Sequence, residues 1–454
     1  MSDVSICWLR RDLRVSDHPA LAAAATHRSP LVLYVIDPAF AGAGEARRHA
    51  LRQALAAVDA SLGGRLVVRV GDPVAVVPAL AAEVDATEVH VSRDYGPYGR
   101  RRDAAVQAAL RADGRRLVGV GSPYAVDPFT VTKADGSSYA VFTPFARAWR
   151  TQPAVPPTGP VMADWFVDAA LERVSLASLG EFTPAHLPVT EADADQRWED
   201  FLDGPLADYS SARDVPGVDG TSRMSAALRW GAVHPRCLLA DLADRGDSAA
   251  HDRFATELTW REFYADVLAR RPETAWSNLN AAMNAMPVDT DAAARARFQR
   301  WADGQTGFPI VDAGMRQLRA IGWMHNRVRM IVASFLVKDL HLPWQWGARH
   351  FIRHLVDGDL ASNSHGWQWV AGTGTDAAPY FRIFNPVAQS QRFDPDGAYV
   401  RQWVPELADV PDRSIHDPGE SRPAAYPPPM VDHAVERAES LARYAMCRAA
   451  RPPR

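Results

Sequence analysis

Three cysteines in 454 residues, Cys7, Cys237 and Cys447, are too few and too scattered for a disulfide framework or a cysteine-built zinc site. No apolar run approaches the roughly 20 residues that span a bilayer, so no membrane span is expected. Positive charge is not in excess either. The formal net charge is −4, and a nucleic-acid partner would have to be met by a local basic surface. No GxGxxG follows the first strand-like run and no GxxxxGK[ST] occurs, which removes a Rossmann dinucleotide site and a P-loop. No Ser/His/Asp arrangement stands out. Met1 to Leu13 reads as a strand followed by charges, with no apolar h-region. Arg10-Arg11 is not followed by the hydrophobic stretch of a twin-arginine signal, so a cytoplasmic protein is expected.

What is present in excess is tryptophan. There are fourteen, and eleven lie from Trp198 onward. A buried indole needs a partner for its N–H, so core packing alone seldom asks for so many. The concentration points to stacking on π-systems or to electron transfer.

Length sets a prior of two or three domains. The first part alternates apolar runs (Val4 to Leu9, Leu31 to Ile36, Leu66 to Val70, Glu88 to Val91) with alanine-rich helical stretches such as Ala20 to Ala25 and Arg47 to Leu62. That alternation predicts a doubly wound α/β domain with a parallel sheet. Asp17-His18-Pro19 reads as a helix start with Asp17 as N-cap. The β signal fades after about Val120, and a proline-rich stretch from Pro153 to Pro160 marks a linker. From Trp198 to Trp403 the chain is helical in pattern, and the tail from Pro411 ends in one short helix. The expected division is 1–128 (α/β), 129–197 (surface linker) and 198–454 (all-α).

Several segments carry chemistry. Trp323, Asn326, Arg327 and Met330 stand at i, i+3, i+4 and i+7, which suits a pocket that packs an aromatic ligand and hydrogen-bonds its edge. A core helix with a satisfied Asn remains the other reading. Arg329 points off that stripe and could pair with Asp357. In Glu257 to Tyr264, Glu257 and Trp260 share a face, while Glu257 and Arg261 have ion-pair spacing, which an ordinary amphipathic helix would show too. Trp367 and Trp369 lie on nearly opposite sides of one helix. Asp357-Gly358-Asp359 could cap a helix, hold a cation or accept from ligand hydroxyls, but no further ligand is spaced nearby and no metal is expected. Thr221-Ser222-Arg223-Met224-Ser225 offers hydroxyls and backbone N–H groups before a helix, as in a phosphate cradle.

Taken with Trp8 to Asp17 and Arg401-Gln402-Trp403, these segments closely resemble the photolyase/cryptochrome family, and within it the class I cyclobutane pyrimidine dimer photolyases. The likeness runs over nearly the whole chain. It implies an N-terminal antenna domain and a helical C-terminal domain that binds FAD and DNA. The implied reaction is light-driven repair: excited reduced flavin lends an electron to a pyrimidine dimer in UV-damaged DNA, the cyclobutane ring opens and the electron returns. A blue-light receptor that binds FAD without repair is the alternative. By matched position, Tyr209, Thr221, Ser222, Arg223, Met224, Ser225, Arg329, Asp357, Gly358 and Asp359 would hold FAD, with Asn363 beside the flavin N5. Glu257 and Asn326 would hydrogen-bond the dimer, Trp260 and Trp369 would pack it, and Met330 would touch it. Arg213, Arg327 and Arg382 would meet phosphates, with Arg261 and Tyr264 also on the DNA face.

Trp367 and Trp344 resemble the inner members of a Trp relay whose outermost member has no counterpart in Pro287 to Asp291. Trp276 and Trp346 are the nearest substitutes in sequence. His325-Asn326-Arg327 and Trp369 favour class I. Ser92 to Asp103 lacks the Asn-Glu pair of folate-antenna members. A second chromophore would then be 8-hydroxy-deazaflavin rather than methenyltetrahydrofolate, near Arg47 and Asp94. A monomer without obligate protein partner is expected.

Overall fold

The structure is a computed structural model, and it describes residues 3–168, 170–179, 187–246, 248–377, 379–380 and 382–449. The apolar runs of the first part form a fully parallel five-stranded sheet: β1 Val4–Leu9, β2 Ser29–Ile36, β3 Leu66–Val70, β4 Glu88–Val91 and β5 Arg116–Gly119. Strand order is β3-β2-β1-β4-β5. Ile6 of β1 lies opposite Leu31 on one side and Val89 on the other. Four strands match the runs expected from sequence. The fifth was not visible there because it is an edge strand whose residues are only half-buried or exposed, so it lacks a continuous apolar signature.

Four helices belong to the sheet: α1 Pro19–Ala24, α2 Glu45–Ser61, α3 Pro73–Glu83 and α4 Pro97–Ala112. Asp17 is not the N-cap of α1. His18 is, its Nδ1 accepting from the Leu21 N–H at 3.1 Å. Asp17 instead takes a left-handed backbone (φ 50°) and accepts from Arg236 Nε and Nη2, both at 2.6 Å. A guanidinium fork is the stronger partner for a carboxylate, so it wins over the helix amide.

The chain packs as two compact units. One comprises Met1–Tyr139, Thr143–Gly204 and Ser222–Pro272; the other comprises Ala140–Phe142, Pro205–Thr221 and Glu273–Arg454. The long helix Ala249–Arg270 therefore belongs to the same unit as the sheet. Two buried carboxylates on it explain why. Glu262 accepts from the backbone N–H of Ala125 (2.5 Å) and Val126 (3.1 Å) and from the Trp149 indole (2.6 Å). Asp266 accepts from Phe129 N at 2.7 Å. Gly231, in a left-handed conformation at φ 73°, lets the chain pass the Arg11 carbonyl at a distance no Cβ would tolerate.

The second unit is helical. Its core gathers Trp301, Met315, Leu318, Val328, Val332, Phe335, Phe351, Trp367 and Tyr399. These come chiefly from Ala292–Ala302, Pro309–Ile321, Asn326–Ser334, Trp344–His354, Leu360–Ala371 and Ala398–Trp403. The tail ends in a helix of 17 residues, His433–Ala449, longer than the short one expected. No described helix is long and apolar enough to cross a membrane.

Candidate active site

In the first unit, Glu257, Trp260, Arg261 and Tyr264 stand at i, i+3, i+4 and i+7 of Ala249–Arg270, and all four are half-buried. The opposite face, with Leu258, Glu262, Ala265, Asp266 and Ala269, is buried. The aromatic stripe is thus held on a helix whose back is anchored by Glu262 and Asp266. Trp260 and Tyr264 have ring centroids 5.4 Å apart. The expected Glu257–Arg261 pairing is replaced. Glu257 pairs with Arg253 one turn earlier, at 3.5 Å, while Arg261 donates to Pro123 O at 3.0 Å and lies 4.9 Å over the Tyr124 ring. Carbonyl and ring together offer Arg261 more than a second exposed ion pair would.

Thr221 to Ser225 forms a turn ahead of the short helix Ser225–Trp230. Ser222 is buried and its hydroxyl accepts from Met224 N at 3.3 Å. Its carbonyl accepts from Arg197 Nε at 3.1 Å. Arg223 has φ 56°, an uncommon conformation for a side-chain-bearing residue and one enriched at ligand sites. Met224 is buried, Ser225 exposed, and Thr221 half-exposed.

In the second unit, Asn326 is the first residue of Asn326–Ser334 and is exposed, while Met330 is half-buried against the core. Trp323 does not share their helix face as the spacing suggested. It precedes the helix, buried beside His325, whose Nδ1 caps the helix by accepting from Arg327 N at 3.2 Å. Burial pushes the His325 imidazole down to about 4, so it stays neutral and can serve as that acceptor. Arg327 pairs with Asp214 at 2.8 Å and lies 4.3 Å over Phe393. Arg213 sits 5.5 Å over the ring of buried Tyr209. Arg382 is exposed, and its carbonyl is fixed by the buried Lys338 ammonium at 2.9 Å.

The Arg329–Asp357 pair forms, at 2.8 Å, and Arg329 Nε also donates to Met324 O at 2.8 Å. Gly358 N–H bonds to Leu355 O at 3.1 Å, leading into Asp359, which caps Leu360–Ala371 by accepting from Ser362 N at 3.0 Å. On that helix Asp359, Asn363 and Gly366 share one face. The Asn363 amide nitrogen donates to Ala348 O at 3.0 Å, which turns its carbonyl oxygen the other way as an acceptor. A methyl built on Gly366 would meet nothing within 4 Å.

Within this unit the donors suit a cofactor with hydroxyls and a planar ring: an arginine and carboxylates for polar groups, and a side-chain-free stretch of helix with one amide acceptor for a ring edge. Replacing Arg329 by Ala would strip its guanidinium from an almost fully buried Asp357, a change that costs about 3–5 kcal/mol. The variant should purify with little flavin per chain by absorbance; a full complement of flavin would remove this pair from the cofactor site.

Trp367 is buried and Trp369 half-buried on the same helix, as their spacing implied. Gly347 has no Cβ because the Trp367 ring would lie 2.1 Å from it. Trp367 meets Trp301 at 6.2 Å and Phe351 at 5.1 Å. Trp301, fully buried, was missed by sequence reading because nothing in its spacing tied it to Trp367. Trp344 donates from its indole to Asn278 Oδ1 at 2.8 Å and makes no ring contact among the described residues.

At the carboxyl ends of β1 and β4, where strand order reverses, a small pocket is lined by Arg10, Arg11, Asp12, Ser92, Arg93, Asp94 and Pro123. Asp94 is held by Gly96 N at 2.9 Å and by Arg102 at 3.4 Å. Burial opposes its charge, yet Arg11, Arg10 and Arg102 outweigh it and hold the carboxyl below the usual range. Arg47 is not among these lining residues; it lies on α2, 5.8 Å over Trp230.

Residues 5–161 match the family described as DNA photolyase, and residues 254–446 match the FAD binding domain of DNA photolyase. A deoxyribodipyrimidine photo-lyase of Escherichia coli (strain K12) is 38% identical over 98% of both chains. Among solved structures, a class III photolyase from Agrobacterium tumefaciens superposes with a TM-score of 0.93 at 36% identity, covering 99% of this chain and 98% of that one. A Synechocystis cryptochrome gives 0.87 at 26% identity, with 97% and 98% covered. The chain belongs to the photolyase/cryptochrome family, and its helical part carries that family's FAD-binding domain.

Proposed function

We propose that this chain is a deoxyribodipyrimidine photo-lyase, an FAD enzyme that uses light to split cyclobutane pyrimidine dimers in UV-damaged DNA. The observation that carries this reading is the end-to-end match to a photo-lyase over 98% of both chains. We assign it to class I on His325-Asn326-Arg327 and Trp369, a sequence criterion separate from the fold it shares with the class III protein of Agrobacterium.

FAD, when bound and reduced, supplies a light-excited electron donor. The chain's own residues bind, orient and exclude water. Tyr209, Thr221 to Ser225, Arg329 and Asp357 to Asp359 would hold the cofactor, with Asn363 beside the flavin N5. Trp260 and Trp369 receive the bases that have left the DNA stack, with Met330 alongside. Glu257 and Asn326 hydrogen-bond the dimer as charge develops on it. Arg213, Arg327 and Arg382 neutralise phosphates, with Arg261 and Tyr264 completing the DNA face. Trp367 and Trp344 serve photoreduction. In functional terms residues 1–128 form the antenna part, 129–197 the linker and 198–454 the FAD- and DNA-binding part. A second chromophore, 8-hydroxy-deazaflavin in preference to methenyltetrahydrofolate, is assigned to the pocket beside Asp94. We place the protein in the cytoplasm as a monomer.

A thymine-dimer oligonucleotide should be restored under blue light and not in the dark. Trp260→Ala should retain flavin but bind damaged DNA more weakly by about 1–3 kcal/mol, the worth of one stacking surface. Flavin binding without any restoration would establish the blue-light receptor instead.

A further inference from the structure

The amino-terminal ends of the strands carry a cluster that repair does not use. Glu88 opens β4 and His90 follows two residues later, so both project from one face of the sheet. In register, Glu88 lies beside Ser5 and His90 beside Cys7. That face looks toward α1, because the Ser5 hydroxyl donates to Ala24 O at 2.9 Å. Three residues past Ala24 the chain delivers His27 to the same place. His27 Nε2 lies 3.6 Å from Glu88 Oε2, and His90 Nε2 lies 3.3 Å from the same oxygen. The two imidazole centroids are 5.6 Å apart. One ligand atom from each of the three falls within 4.8 Å of the others, the sole such histidine, cysteine and carboxylate group among the described residues.

His90 makes the cluster more than a chance meeting. Its side chain is 5% exposed, and neither ring nitrogen has a hydrogen-bond partner among the described residues. The approach to Glu88 is close but lacks hydrogen-bond geometry. A buried imidazole with both nitrogens unsatisfied calls for an explanation such as an ion.

We propose that His27, Glu88 and His90 form a binding site for one divalent transition-metal ion, zinc by ligand type, that ties the turn after α1 to the start of β4. Bonds of about 2.0–2.1 Å at tetrahedral angles place ligand atoms about 3.3 Å apart, close to both distances around Glu88. His27 is 26% exposed and Glu88 16%, which leaves the fourth position open to water. Arg116 at the start of β5 also pairs with Glu88, but its side chain is 73% exposed and free to withdraw. Ligands of doubly wound sheets bind at the carboxyl ends of the strands, so an ion at the opposite end is structural rather than catalytic. Sequence spacing gave no hint of it, since His27 is far along the chain from the other two.

The test uses the flavin-loaded full chain after treatment with a chelator. Zinc titrated against a competing indicator should bind one equivalent and raise the unfolding temperature, while magnesium should do neither. His27→Ala, at the most exposed of the three ligands, should weaken zinc binding at least about tenfold and abolish the thermal shift. Glu88→Gln should do the same, and His251→Ala, a half-buried histidine outside the cluster, should not. Zinc binding of wild-type strength in His27→Ala, or no stoichiometric binding in the wild type, would overturn the site.

Discussion

Trp367→Phe is expected to abolish photoreduction of the bound flavin while leaving repair intact when the flavin is supplied already reduced. Trp367 lies on the helix that also presents Asn363, and it is buried with no room for a side chain at Gly347. It is therefore fixed in place by packing, on the helix that also carries Asn363 and Trp369. Two exits lead outward from it. Resemblance points to Trp344, whose indole N–H is anchored on Asn278. Ring contacts trace another: Trp301 at 6.2 Å, then Phe298 at 5.6 Å, then half-exposed Trp346 at 5.7 Å, with Arg295 over its ring at 5.2 Å. Pro287 to Asp291, where the resemblance would put the outermost indole, instead supplies Asp289 to ion pairs with Arg297 and Arg443 at 2.7 Å each. Parallel exits predict that Trp344→Phe and Trp346→Phe each slow photoreduction only in part and that the double variant stops it. Transient absorption would decide. A single variant as severe as Trp367→Phe would leave only one exit, and fast photoreduction in Trp367→Phe would remove the relay altogether.

The contrast between these residues shows what a sequence can reveal. Trp367 and Trp369 were legible because helical geometry alone separates residues two apart, and Arg329–Asp357, 28 residues apart, because an arginine off the apolar stripe needs an acidic partner. The sheet was legible for the same local reason: buried parallel strands are continuous apolar runs, and only the half-buried β5 escaped. What failed was competition between partners. Asp17 had helix-cap chemistry but met Arg236, 219 residues away, and Glu257 had two arginines in reach and took Arg253. Trp323 had the right spacing for a helix that begins only at Asn326. Trp301 and the His27–Glu88–His90 cluster depend wholly on tertiary meetings, which no periodicity encodes.

Glu262→Ala should produce the largest loss of stability of any single change on the helix Ala249–Arg270. Three donors, the amides of half-buried Ala125 and Val126 and the buried Trp149 indole, end on this one carboxyl group. Truncation leaves all three without acceptors, at a cost of about 3–5 kcal/mol. The same contacts anchor the helix bearing Glu257, Trp260 and Tyr264, so damaged-DNA affinity should fall with stability. Glu262→Gln separates charge from shape. Burial pushes the Glu262 carboxyl up to about 7, against the lowering influence of Arg261 and the three donors. Its folded pKa thus lies above the ordinary 4.5. Between those values the folded chain keeps a proton that the unfolded chain has lost, so this group's contribution is full below about pH 4.5 and declines as pH rises through about 7. Glutamine cannot titrate, but its amide nitrogen cannot accept where a carboxyl oxygen did, so the variant starts from a fixed deficit. Urea unfolding should therefore find the wild type ahead by a constant margin below about pH 4.5, with that margin shrinking as pH rises to about 7 and no further change above it. A wild type that gains on the glutamine variant over that range would mean the three donors, not burial, govern the charge on Glu262.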